Sequence, residues 1–138
     1  MDFESVMQEL EVLGKERMKK IYLSNGAHEP LFGVTTGSMK PMSKKIKLNQ
    51  ALAEELYATG NYDAMYFAGI IAEPKIMTES DFDRWMDAAY FYMLSDFVVA
   101  VTLSESDSAQ EVADKWIRLP SMGPHIMYKF HLMKKSLV

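Results

Sequence analysis

The sequence predicts an all-α protein, an α-α superhelix of stacked helix pairs that forms an incomplete solenoid. Three observations predict it. Apolar residues recur at spacings of three and four along most of the chain. No run alternates with the period of two that a half-buried strand needs. Capping and stop residues cut the pattern into short segments joined by turns.

Phe3, Val6, Met7, Leu10, Leu13, Met18, Ile21 and Tyr22 set out a first helix from about Glu4 to Ser24, stopped by Asn25-Gly26. His28 to Gly37 carries Pro30, two glycines and tandem threonines, which predicts an ordered loop leading to an N-cap. The next helix is expected to hold Pro41 in its first turn, where a missing N–H does least harm. A third is capped by Asn49 and runs through Leu52, Leu56 and Tyr57 to Gly60. A fourth spans Tyr62 to Ala72 and ends ahead of Pro74; Ala64, Ala68, Gly69 and Ala72 narrow one side so that a neighbour can lie close. Thr78-Glu79-Ser80-Asp81 opens a fifth helix carrying Phe82, Trp85, Met86 and Ala89. A sixth, from about Tyr90 to Leu103, is apolar nearly all round and is expected to be the most buried. Ser106-Asp107-Ser108 is expected to cap a seventh with Ala109, Val112, Ala113, Trp116 and Ile117.

From Asn49 onward, helix, turn, helix and longer link repeat with a period between the mid-twenties and thirties, the pattern of HEAT-like pairs. Residues 1–118 are therefore expected to form a HEAT-like domain. After Arg118, Leu119-Pro120-Ser121-Met122-Gly123-Pro124 breaks the pattern, and residues 119–138 are expected to be an atypical tail. A solenoid that stops without a polar cap leaves an apolar flank, and either homodimerisation through that end or a disordered tail is expected.

The 138 residues are 49% hydrophobic, enough for a buried core. With no cysteine there is no disulfide framework, thiolate nucleophile or Cys-ligated metal, which suits a reducing compartment. No leader or spanning segment is visible, so a cytoplasmic protein without membrane partners is expected. The net charge of −4 is unevenly spread. Residues 1–50 hold eight Lys/Arg against six Asp/Glu, residues 51–114 two against thirteen, and residues 115–138 five against none. Lys15, Arg17, Lys19 and Lys20, with the cluster Lys40, Lys44, Lys45 and Lys47, are the groups able to release counterions from DNA. The same charges also suit solvated helix faces.

P-loop, dinucleotide, zincin and EF-hand signatures are absent, and no cofactor is expected. His28, His125 and His131 are too scattered to define a metal site. Asp96 is the single charge in Tyr90-Phe91-Tyr92-Met93-Leu94-Ser95-Asp96-Phe97-Val98-Val99-Ala100. A buried carboxylate is costly unless paired, so it either bonds a hydroxyl or amide within the stack or faces a cleft. Tyr92, four residues earlier, is expected on the same helical face, and ring plus carboxylate suit a cationic ligand. Of Tyr57, Tyr62, Tyr66, Phe67, Trp85, Tyr90, Phe91 and Tyr92, most are expected to be core, because their spacings are those of a buried helical stripe.

The stretch from Leu31 to Asp114 resembles the AlkD-like DNA alkylation repair family of HEAT-like repeat DNA glycosylases, its N-terminal part only. Three segments carry the resemblance. They are Phe32-Gly33-Val34 with the basic helix ending Lys44-Lys45-Ile46-Lys47, then Glu54-Glu55-Leu56-Tyr57 with Ala68-Gly69-Ile70-Ile71-Ala72-Glu73-Pro74-Lys75, and last the Trp85 helix followed by Tyr92 to Asp96. The resemblance implies a basic groove for duplex DNA and removal of N3- or N7-alkylated purines. It places the catalytic aspartate on Asp96 and a sugar-facing aromatic, tryptophan in the family, on Tyr92. A later arginine that the family uses falls outside the matching stretch. The expected function is thus a DNA alkylation repair glycosylase, weak or inactive in this length of chain, with Lys40, Lys44, Lys45 and Lys47 on phosphates. The alternative is a non-catalytic helical-repeat module that binds DNA or protein.

Overall fold

The computed structural model describes residues 1–118, and among them all regular structure is helical. The reading of residues 119–138 as a tail, and His125 and His131, lie outside the described residues. Those described fall into two compact units, residues 1–73 and residues 74–118.

The first unit holds α1 (Phe3–Leu13), α2 (Glu16–Ser24), α3 (Thr36–Ile46), α4 (Gln50–Tyr57) and α5 (Tyr62–Ile71). The single first helix expected from Glu4 to Ser24 is two helices. Gly14, at φ −63° and ψ 144°, is extended and breaks it. The chain runs so close there that only glycine fits: a Cβ on Gly14 would stand 2.4 Å from the Phe32 carbonyl oxygen. Pro41 lies in the second turn of α3 rather than the first, because the helix already starts at Thr36, with the Thr35 hydroxyl accepting from the Ser38 N–H.

Helices α4 and α5 make the most extensive helix–helix contact of this unit. Asn49 caps α4 through the Leu52 N–H, and Asn61 caps α5 through the Ala64 N–H, each such cap contributing about 1 kcal/mol. The start of α4 is tied to the end of α5. The Asn49 N–H donates to the Ile71 carbonyl at 2.7 Å, and Gln50 and Glu73 exchange two backbone–side-chain bonds of 2.8 Å. The pair is therefore antiparallel. Seven of the ten residues of α5 are buried, including the small Ala64 and Ala68, and α1 and α3 also pack on this helix.

The second unit opens with a 3-10 turn, Pro74–Ile76, and α6 (Glu79–Ala88). Thr78 and Asp81 form a reciprocal capping box at the start of α6. Residues 92–104 form a helical rod in three parts: α7 (Tyr92–Leu94), a π-helical stretch Ser95–Ala100, and α8 (Val101–Ser104). The uniform, most-buried α-helix expected from Tyr90 is thus replaced by a rod that starts two residues later, exposes Tyr92 and Phe97, and is less buried than α5. Its α-helical geometry is interrupted where Val98, Val99 and Ala100 must all reach the interior.

Helix α9 (Ala109–Ile117) closes the described part. The expected Ser106-Asp107-Ser108 cap does not form. Ser108 makes no side-chain capping bond, Ser106 donates back to the Leu103 carbonyl at 2.7 Å, and Asp107 takes the Lys75 ammonium at 3.1 Å. Helix α9 is instead fastened by side chains. The Trp116 indole N–H donates to Asp83 Oδ1 at 2.9 Å, and Lys115 Nζ reaches Asp83 Oδ2 and, at 2.7 Å, Glu79.

Candidate nucleic-acid interface

The cationic candidates belong to the first unit. Lys40, Lys44 and Lys45 on α3, and Lys47 at its C-cap, are all exposed. Among the described residues none of the four is held in an ion pair. Lys44 and Lys45 occupy the last turn, where the partial negative charge of the helix terminus favours cations. Lys47 stands at φ 63° and ψ −133°, a left-handed conformation that side chains other than glycine seldom adopt.

The loop that launches α3 is held by a residue that sequence reasoning did not single out. Asp63, in the first turn of α5, is fully buried. Its carboxylate accepts three consecutive backbone N–H groups: Phe32, Gly33 at 3.0 Å and Val34 at 2.8 Å. A carboxylate that takes three amide donors at a helix N-terminus has its charge met by fixed dipoles instead of a cation. Gly33, at φ +84°, allows the three N–H groups to converge. Tyr22 holds the loop from the other side, its hydroxyl donating to the Val34 carbonyl at 2.8 Å. Burial first, and then the Asp63 charge, push the Tyr22 phenol above its ordinary range.

Tyr92 and Asp96 belong to the second unit. The Asp96 residue is 6% exposed, and one of its oxygens accepts from the Ser95 hydroxyl at 3.2 Å. Tyr92 is 39% exposed; its ring meets Phe91 edge-on at 5.8 Å and Phe97 at 6.3 Å. Because the π-helical stretch begins between them, the α-helical four-residue rule used to set both on one face does not carry across. Tyr57, Tyr62, Phe67 and Trp85 are core, as their spacing implied, whereas Tyr66, Tyr90, Phe91 and Tyr92 are at least partly exposed.

The bases of the second unit are largely spent on its own acids. Lys75 pairs with Asp107, Arg84 with Asp81, and Lys115 with Asp83 and Glu79. No helix among the described residues is long and apolar enough to cross a membrane.

Paired short helices with a cationic helix in one unit and an aromatic–carboxylate rod in the other define a HEAT-like helical-repeat protein. The family described as DNA alkylation repair enzyme matches residues 6–122, and this chain belongs to it. It is also similar to a solved structure described as a new family of proteins related to the HEAT-like repeat DNA glycosylases with affinity for branched DNA structures. The TM-score is 0.86 and the identity 76%, over 94% of this chain and 55% of that one. The chain thus spans about half the length of that structure. No curated protein matches it.

Proposed function

We propose that this chain is a non-catalytic DNA-binding module that grips the phosphates of branched DNA through Lys40, Lys44, Lys45 and Lys47. The observation that carries this is the contrast in how cations are used. The four lysines are exposed and, among the described residues, free of ion pairs, whereas Lys75, Arg84 and Lys115 are each bound to carboxylates. An uncommitted ammonium can take a phosphate and release its counterion without first breaking a bond within the protein. The affinity for branched DNA described for the 76% identical structure supports the choice of branched over linear DNA.

Four phosphate contacts give a slope of log K against log salt near −3.6, about a hundredfold loss of affinity between 50 and 200 mM salt. Titration of a labelled four-way junction and of a duplex of the same sequence tests this. The expected result is tighter, salt-steep binding to the junction; absence of salt-dependent binding to both would overturn it.

Glycosylase activity is the second reading, and one observation favours it: a buried carboxylate, Asp96, close in sequence to an exposed ring, Tyr92, at a π-helical stretch of the kind that concentrates at functional sites. There Asp96 would stabilise developing positive charge on the sugar and position water, with Tyr92 against the sugar. Release of 7-methylguanine and 3-methyladenine from alkylated duplex DNA would establish that activity.

A further inference from the structure

We infer that α2 and α3 form one phosphate-binding surface, held in register by Asp63 as a positioning residue. This rests on the DNA-binding function proposed above and extends it to α2, which raises the contacts from four to seven and the expected wild-type slope from near −3.6 to about −6.3.

Lys15, at the start of α2, and Arg17 and Lys20 within it are exposed and, among the described residues, hold no ion pair. Lys19 differs, being drawn to Glu29 at 2.9 Å. Three free cations of α2 therefore join the four of α3 as potential phosphate partners.

The backbone couples the two helices. The Lys15 N–H donates to the Gly33 carbonyl at 3.0 Å, and the Tyr22 hydroxyl bonds the Val34 carbonyl, so α2 is tied to the loop near both its ends. The approach is close enough that a Cβ on Gly33 would stand 2.5 Å from the Lys15 carbonyl oxygen and 2.6 Å from the Lys19 nitrogen. Two residues beyond Gly33, Thr35 caps α3; two residues of chain span at most about 7 Å. Asp63 grips the same loop from α5 through three N–H groups. The loop is thus fixed on both sides, and with it the separation of the starts of α2 and α3.

Duplex DNA presents one charge per roughly 1.7 Å of its axis, so cations held at fixed separation can meet neighbouring phosphates together. Cations on independently moving helices would each have to be ordered on binding. The ligand chemistry is the DNA phosphodiester backbone, read without regard to base.

The test measures salt slopes on a four-way junction, with a thermal melt of each protein. The proteins are wild type, Arg17→Ala with Lys20→Ala, Lys44→Ala with Lys45→Ala, and Asp63→Asn. Each paired removal is expected to lower the slope by about two while leaving the melt unchanged. Asp63→Asn keeps every cation, yet is expected to lower the slope by at least about one at a temperature where the chain is folded. A wild-type slope in the α2 pair, or in folded Asp63→Asn, overturns the inference. If Asp63→Asn does not fold, Tyr22→Phe cuts the α2 anchor alone; its slope is expected to fall, and a wild-type slope overturns the positioning role. A wild-type chain without salt-dependent binding would instead remove the DNA function itself.

Discussion

The carboxylate of Asp63 accepts the backbone N–H of Val34 at 2.8 Å across 29 intervening steps of sequence, and with it the two preceding N–H groups. This bond ties the first turn of the central helix α5 to the segment that launches the basic helix. Phe32-Gly33-Val34, the first segment of the family resemblance, therefore has a physical task. It offers three converging donors to one buried anion.

Asp63→Asn removes that anion and turns an amide N–H toward donors. Bonds to a charged acceptor contribute about 1.5–3 kcal/mol each, so a loss of about 3 kcal/mol or more is expected. Circular dichroism should show the melting temperature falling by about 10 °C. A fall of only a degree or two would mean that water satisfies the loop equally well.

Lys47→Gly separates stability from binding. Glycine relieves the left-handed conformation at φ 63°, raising stability by about 0.5–1 kcal/mol. Loss of the ammonium should lower the salt slope by about 0.9. Higher melting temperature with weaker junction binding is the expected combination; unchanged binding would take Lys47 off the phosphate surface.

The α6–α9 fastening gives the second unit a pH dependence. Burial raises the Asp83 carboxyl, but the bonds from Lys115 and Trp116 outweigh it and hold the group below its ordinary range. Its contribution is thus present above the unfolded value of about 3.9 and fades as pH falls below it. Lys115 shifts upward, through its bonds to Asp83 and then Glu79, so its share is complete below about 10.4 and declines above. Both groups are partly exposed, so the effect is modest and screened by salt. Urea unfolding followed by tryptophan fluorescence should show the midpoint falling from pH 5 to pH 3, and a flatter profile in Asp83→Asn.

Asp96→Asn is expected to leave junction affinity and its salt slope unchanged, and neither wild type nor variant should release methylated purines above background. Release by wild type that the substitution abolishes, with binding intact, would restore the glycosylase reading.

The helical class, the caps at Asn49 and Thr78 and the core aromatic residues were legible because each depends on local spacing. The break at Gly14 was not, since nothing within residues 1–24 reveals that Phe32 occupies the space of a side chain there. Asp63 was legible in principle. It is the lone charge of an apolar helix, the same signal that Asp96 carries, but in composition it is one of thirteen acids in a negative middle region. The π-helical stretch left no local mark, because Val98, Val99 and Ala100 are three consecutive buried residues whose spacing fits an ordinary buried α-helix equally well.

That stretch also fixes a phase. A π turn takes up one residue more than an α turn, so Tyr92 and the buried pair Thr102 and Leu103 are offset by about 100° from where an unbroken helix would set them. Deleting a single residue between 95 and 100 would let the rod relax to α-helix with Tyr92 kept at its present phase, whereas closing the stretch into α-helix with every residue retained would swing Tyr92 by about 100° around the axis. The direction of the exposed ring therefore depends on one surplus residue being held in the π turn.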